Sequence, residues 1–143
     1  MKLHPLLTFN ALLFLIAGIA FTLYGPLMLA FFGVPEIPSE DILLYWNVAA
    51  FARLFGAALF GFGLLLWALR QAAVYSSLSS EARHGMVFAL LLANIIAAIT
   101  TITQQVSNWN GIAGWVAFSL FTFLVLGYAY CLVKGENLTE SVA

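Results

Sequence analysis

From His84 to Val133 the chain carries no Asp, Glu, Lys or Arg. A stretch of about 50 residues is too long and too apolar for the interior of a water-soluble domain, because a bilayer-spanning helix needs only about 20 apolar residues. It holds two spans and a turn. The turn shows as Gln104-Gln105-Val106-Ser107-Asn108-Trp109-Asn110-Gly111. Leu3 to Pro35 is likewise free of formal charge, and Ile42 to Leu69 is interrupted only by Arg53. These runs predict four spans, at about 7–31, 43–69, 86–104 and 112–133. The fold class expected is all-α: a polytopic membrane protein with one four-helix transmembrane bundle over residues 1–143.

Of the 143 residues, 64% are hydrophobic and 8% charged, against about 25% charged in globular chains. The spans leave little chain for a soluble domain, and the longest polar loop, Gln71 to Arg83, has room for at most a short surface helix. Five Lys and Arg with a net charge of −1 make no basic surface, so nucleic acid is not an expected partner. The single cysteine, Cys131, excludes an intrachain disulfide, a CxxC pair and a cysteine-built zinc site. Met1-Lys2 and the apolar run behind it loosely fit a signal peptide. Cleavage after Gly18-Ile19-Ala20 would leave the apolar Phe21 to Phe32 as the new N-terminus, so the first span is read as uncleaved.

Proline lacks an amide donor and clashes with the preceding turn. Pro26 therefore predicts a kink near Tyr24-Gly25-Pro26, with Leu27 to Phe32 as a separate short turn at the surface. Gly33 to Pro38 reads as a loop, and Ser39-Glu40-Asp41 as the start of the second helix. A short interfacial helix before Trp46 is the remaining expectation there. Running on to Leu69, the second helix would exceed the hydrocarbon core and must tilt, project into water or bend near Asn47.

Lys2, Arg70, Arg83 and Lys134 flank the ends that share one side of the membrane, whereas Glu36, Glu40 and Asp41 lie in the loop on the other. The positive-inside rule then places both termini in the cytoplasm, in a cell membrane of the bacterial inner-membrane type. Trp46 and Trp109 fall at the outer boundary and Trp67 at the inner one, as interfacial aromatics should. Asn137-Leu138-Thr139 matches a glycosylation acceptor, but on this topology it is cytoplasmic and a chance match.

Lipid tails are as apolar as leucine, so helices in a bilayer associate by close packing of small residues. Ala11, Gly18, Thr22 and Gly25 form such a face on the first span, and Ala49, Ala52, Gly56 and Gly63 on the second, each within about 60° of arc. The 13 Phe receive no functional weight, being ordinary lipid-facing or core material.

Arg53 is the sharpest polar feature. A charge at a helix centre costs about 2.5–3.5 kcal/mol on insertion scales, and less near the edge. Three readings stay open: snorkelling to lipid phosphate, a salt bridge to Glu36, Glu40 or Asp41, and contact with an anionic or polar ligand inside the bundle. On the third span Asn94, Thr101 and Gln105 share one face within about 40° of arc. Tyr24 reaches the same level on the first. The candidate ligand-binding set is thus Arg53, Tyr24, Thr101, Gln105 and Asn94, lining an outward-opening polar pocket with Phe walls. The competing reading makes the amides plain interhelical glue, worth about 0.6–2 kcal/mol each. Asn10 and Asn47 are read as glue or interfacial. His4 and His84 lie at the same-side ends of spans one and three, where a haem is conceivable but interfacial residues are the expectation.

No carboxylate lies within a span, and HExxH, P-loop and Ser-His-Asp sets are absent, as is a cluster of metal ligands. The expectation is a non-enzymatic protein with no catalytic residue, cofactor or metal. Arg53-Leu54-Phe55-Gly56-Ala57-Ala58-Leu59-Phe60-Gly61-Phe62-Gly63, with four short-looped spans over nearly the whole chain, resembles the small bacterial four-helix membrane proteins that include the DoxX-like families. In those families an Arg is often followed by glycines within one span, there the first, here the second. The resemblance implies a four-helix fold and, for some members, association with quinone-linked oxidoreductase complexes. Two function classes follow. One is a protein that holds a membrane lipid, quinone or similar lipophilic molecule in an outer-leaflet pocket near Arg53. The other is an accessory subunit of a larger membrane complex. An uncoupled channel or carrier ranks behind both.

Overall fold

The computed structural model describes residues 3–34, 42–74, 79–109 and 111–140. Four helices account for most of them: α1 (Leu3–Phe31), α2 (Ile42–Val74), α3 (Ser80–Ser107) and α4 (Ile112–Glu140). All four are long and apolar enough to cross a membrane, and no strand occurs among the described residues. In lipid every backbone amide must find its partner within the segment, which is why apolar runs of this length become helices. The protein is therefore an all-α, multi-pass membrane bundle.

The helices outrun the hydropathy-based spans. α2 continues to Val74 rather than stopping near 69, α3 starts at Ser80 rather than 86, and α4 runs on to Glu140 rather than 133. Hydropathy marks where lipid ends, not where hydrogen bonding ends. Gln71-Ala72-Ala73 and Glu81-Ala82-Arg83 are good helix formers, so the turns persist outside the apolar zone. Ser79 caps α3, its hydroxyl accepting from the Ala82 amide at 3.2 Å, with Glu81 favourably placed in the positive first turn. Two helix ends thus occupy much of the polar stretch after Leu69. The expected helix start at Ser39-Glu40-Asp41 lies outside the described residues.

α1 breaks where proline requires it. Tyr24 leaves helical geometry (φ −121°, ψ 35°), two residues before Pro26. Beyond this kink a second, short helical piece runs on to Phe31, as Pro26 predicted, and it is counted with α1. The helix then closes with two capping bonds: the Gly33 amide donates to Ala30 O at 2.9 Å and the Val34 amide to Leu29 O at 3.0 Å. This arrangement needs a left-handed residue at its C′ position, and Gly33 supplies it with φ 74°.

α1 packs against α2, and α3 against α4; the two hairpins meet chiefly where α1 faces α4. The small faces of α1 and α2 pack together as their residues predict. A methyl group on Gly18 would strike the backbone of Phe60, one on Gly56 the backbone of Thr22, and one on Gly63 the backbone and side chain of Leu15. Gly25 faces the stem of Arg53, continuing the same antiparallel register in steps of three and four.

At the end that carries the termini the bundle is closed. Leu6, Leu7, Leu66, Val87, Leu124 and Tyr128, drawn from all four helices, form the buried core. Within it Asn10 donates through Nδ2 to the Tyr128 hydroxyl at 2.8 Å, joining α1 to α4, with both residues fully buried. The same end holds Arg70, whose Nε donates to His4 Nε2 at 2.8 Å while its guanidinium lies 4.7 Å from the Trp67 ring centre. At the opposite end the α3–α4 turn docks on the end of α1. Gly111 sits so close to the backbone of Phe31–Gly33 that no side chain would fit there.

Candidate functional site: an apolar cavity between the hairpins

Between the closed core and the docked turn the hairpins part. The space is a cavity of about 520 Å³ bounded by α1, α2 and α4, with Thr101 of α3 on its wall, and roofed by Phe32, Val34 and Trp109. Its size falls within the roughly 300–1,000 Å³ range of small-molecule sites. Aromatic rings form a chain along its wall: Phe55 meets Phe21 edge-on at 5.4 Å, Phe21 meets Phe32 at 5.8 Å, and Phe32 meets Trp109 at 4.9 Å. Phe14 and Phe121, 6.5 Å apart, form the floor. Phe51, Phe55 and Val116 line the cavity yet are more than half exposed, at 72%, 53% and 52%. The mouth therefore opens sideways between α2 and α4, into the layer that surrounds the apolar belt.

The five candidate residues divide between different places. Thr101 lines the cavity and is buried, and its hydroxyl donates to Ala97 O at 2.7 Å. Asn94 and Gln105 are buried on the same stripe of α3 but do not line it. Asn94 Nδ2 donates to Leu90 O at 2.7 Å, and Gln105 Nε2 donates to Gly111 O at 3.1 Å, tying α3 to the turn. Each keeps one buried amide oxygen with no hydrogen-bond donor among the described residues. The Gln105 oxygen occupies the place where a Gly114 side chain would begin, so α4 needs its glycine to receive α3.

Arg53 and Tyr24 are exposed and line no part of the cavity. On α2 the cavity stripe comprises Val48, Phe51, Ala52, Phe55 and Leu59. At about 100° per residue, the face that meets α1 lies about 70° round from this stripe, and Arg53 about 70° further on. Arg53 and the cavity thus flank the α1–α2 contact on opposite sides. Arg53 lies with its stem over Gly25 and has no hydrogen bond or ion pair among the described residues. It stands seven residues from Trp46 and fourteen from Trp67, about 10 Å and 21 Å along the axis. The two tryptophans are then about 31 Å apart, one hydrocarbon thickness. The guanidinium is within a side chain's reach of the nearer boundary, which suits snorkelling.

His4 is engaged with Arg70, and no group of three or more metal-ligating side chains occurs among the described residues. Asn10 is interhelical glue, whereas Asn47 is exposed. Sequence reasoning expected Phe walls but could not say which rings form them, because Phe14, Phe21, Phe55 and Phe121 carry the same helical spacing as any lipid-facing ring. It missed Tyr128, whose hydroxyl is the partner of Asn10; a tyrosine inside a span is the signal that pointed to it. Comparison with protein-family models, curated proteins and solved structures found no match to this chain.

Proposed function

We propose that this small membrane protein holds a lipid, quinone or similar amphiphile, with the apolar part of the ligand in the cavity between α1, α2 and α4. The observation that carries this reading is a ligand-sized cavity whose mouth opens sideways, the direction from which a membrane-dissolved molecule arrives. The charge pattern of the loops supports an outer-leaflet position for the cavity. Arg53 contacts lipid phosphate on the other side of the α1–α2 hairpin, where its bidentate fork suits that group. In this reading the protein binds its ligand and carries out no reaction on it. The DoxX-like resemblance of residues 53–63 is consistent with a place near quinone-linked complexes.

Native mass spectrometry after mild extraction from the source membrane tests this. A discrete extra mass in the lipid or quinone range is expected. It should disappear in Ala117→Phe, which fills the cavity from α4, and persist in Arg53→Leu. Retention by Ala117→Phe would remove the cavity as the site. A co-purified protein at fixed stoichiometry, with no small ligand, would instead make the chain an accessory subunit.

A further inference from the structure

Surrounded by lipid, an apolar cavity discriminates poorly. The hydrophobic effect that fills such a cavity in water is absent, because acyl chains are as apolar as the leucine and phenylalanine that line it. A ligand is preferred over a neighbouring lipid tail only if a polar group of the cavity meets it. Among the described lining residues that leaves Thr101 and Trp109.

Their hydrogen-bonding states are unequal. The Thr101 hydroxyl has one proton, and it is committed to Ala97 O at 2.7 Å. What the hydroxyl still offers is its lone pairs, so it accepts. A ketone, ester or ether, which only accepts, finds no partner there. Trp109 has the complementary character: its indole N–H only donates, and it has no acceptor among the described residues. A ligand hydroxyl is both donor and acceptor and meets either group.

We infer that the cavity selects a neutral lipid alcohol, a long-chain lipophile whose hydroxyl donates to Thr101 while its chain lies along the aromatic wall. This rests on the amphiphile-binding reading above and narrows it. In the reduced and oxidised forms of a quinone-type ligand, the hydroxyl-bearing form would be the one retained. A phospholipid would enter by its tail alone and gain nothing at Thr101.

The test supplies the purified protein in lipid nanodiscs with hexadecan-1-ol or with its methyl ether, and counts retained adducts by native mass spectrometry. The pair differs in the ability to donate. Retention of the alcohol is expected to exceed that of the ether by about five- to tenfold, the worth of one hydrogen bond in an apolar setting. Thr101→Val should erase the difference, and Thr101→Ser, which keeps the hydroxyl, should preserve it. Ala117→Phe should abolish retention of both probes. Equal retention of alcohol and ether, lost in Ala117→Phe, would overturn the selectivity while leaving the cavity as a binding site. Equal retention that Ala117→Phe does not change would overturn the amphiphile reading itself. A preference that survives Thr101→Val would also overturn the assignment to Thr101.

Discussion

Replacing Gly18 by alanine adds one methyl group at the crossing of α1 and α2. Its Cβ would lie 2.5 Å from Phe60 N and 2.7 Å from Phe60 Cα, where ordinary contact begins at 3.4 Å. Backbone atoms inside a helix cannot rotate aside, so the helices must part by about 1 Å at this level. A gap of 0.5–1 Å forfeits about a quarter to a half of each dispersion well. With roughly 20–30 atom pairs of about 0.1–0.2 kcal/mol around the crossing, the loss is about 0.5–3 kcal/mol. No hydrophobic term restores it in lipid. Alanine also favours the helix over glycine by up to about 1 kcal/mol, and Gly61 isolates that gain, because nothing lies within 4 Å of its added Cβ. Unfolding in mixed micelles of rising dodecyl sulfate content, followed by tryptophan fluorescence, should place Gly61→Ala at or above the parent protein. Gly18→Ala should fall below Gly61→Ala by about 0.5–3 kcal/mol, the packing loss alone. Equal resistance of the two variants would refute the backbone-on-backbone register of α1 and α2.

Two further outcomes follow from the buried polar contacts. Tyr128→Phe strands the whole Asn10 carboxamide inside the core, and should lower stability in the same titration by about 1–2 kcal/mol. Adding Asn10→Leu should recover most of the loss; a double variant as unstable as Tyr128→Phe alone would show that the pair is not the cause. Gly114→Ala should displace the Gln105 carboxamide and break its bond to Gly111 O, raising amide exchange through the α3–α4 turn about tenfold. Gln105→Ala, which removes the same bond, should raise exchange to a similar extent, and adding Gly114→Ala to it should change little further; exchange that stays at the parent rate in Gly114→Ala would refute the contact.

Apolar run length was enough to place four spans, because in lipid the backbone must satisfy itself locally and length alone decides what crosses. Pro26 was legible as the α1 break for a similarly local reason: the missing amide belongs to one residue, wherever its neighbours lie. The pairing of Gly18, Gly25, Gly56 and Gly63 was half legible. Spacing showed two small faces, and only the packed helices showed which residue meets which.

The candidate site was the least legible part. Depth along a helix is read from residue number, so Arg53, Tyr24, Thr101 and Gln105 looked like neighbours at one level. Direction is set by how each helix is rotated against the others, and that rotation put Thr101 in the cavity and Arg53 beyond the α1–α2 contact. By itself the sequence determined that the chain crosses the membrane four times, where α1 breaks, and which faces are small. These are properties of one segment and its solvent. The tertiary structure decided that α1 and α2 cross at their glycines, that Asn10 finds Tyr128, and that the hairpins part to leave a cavity. Each is a relation between helices, settled by steric fit that no single segment encodes.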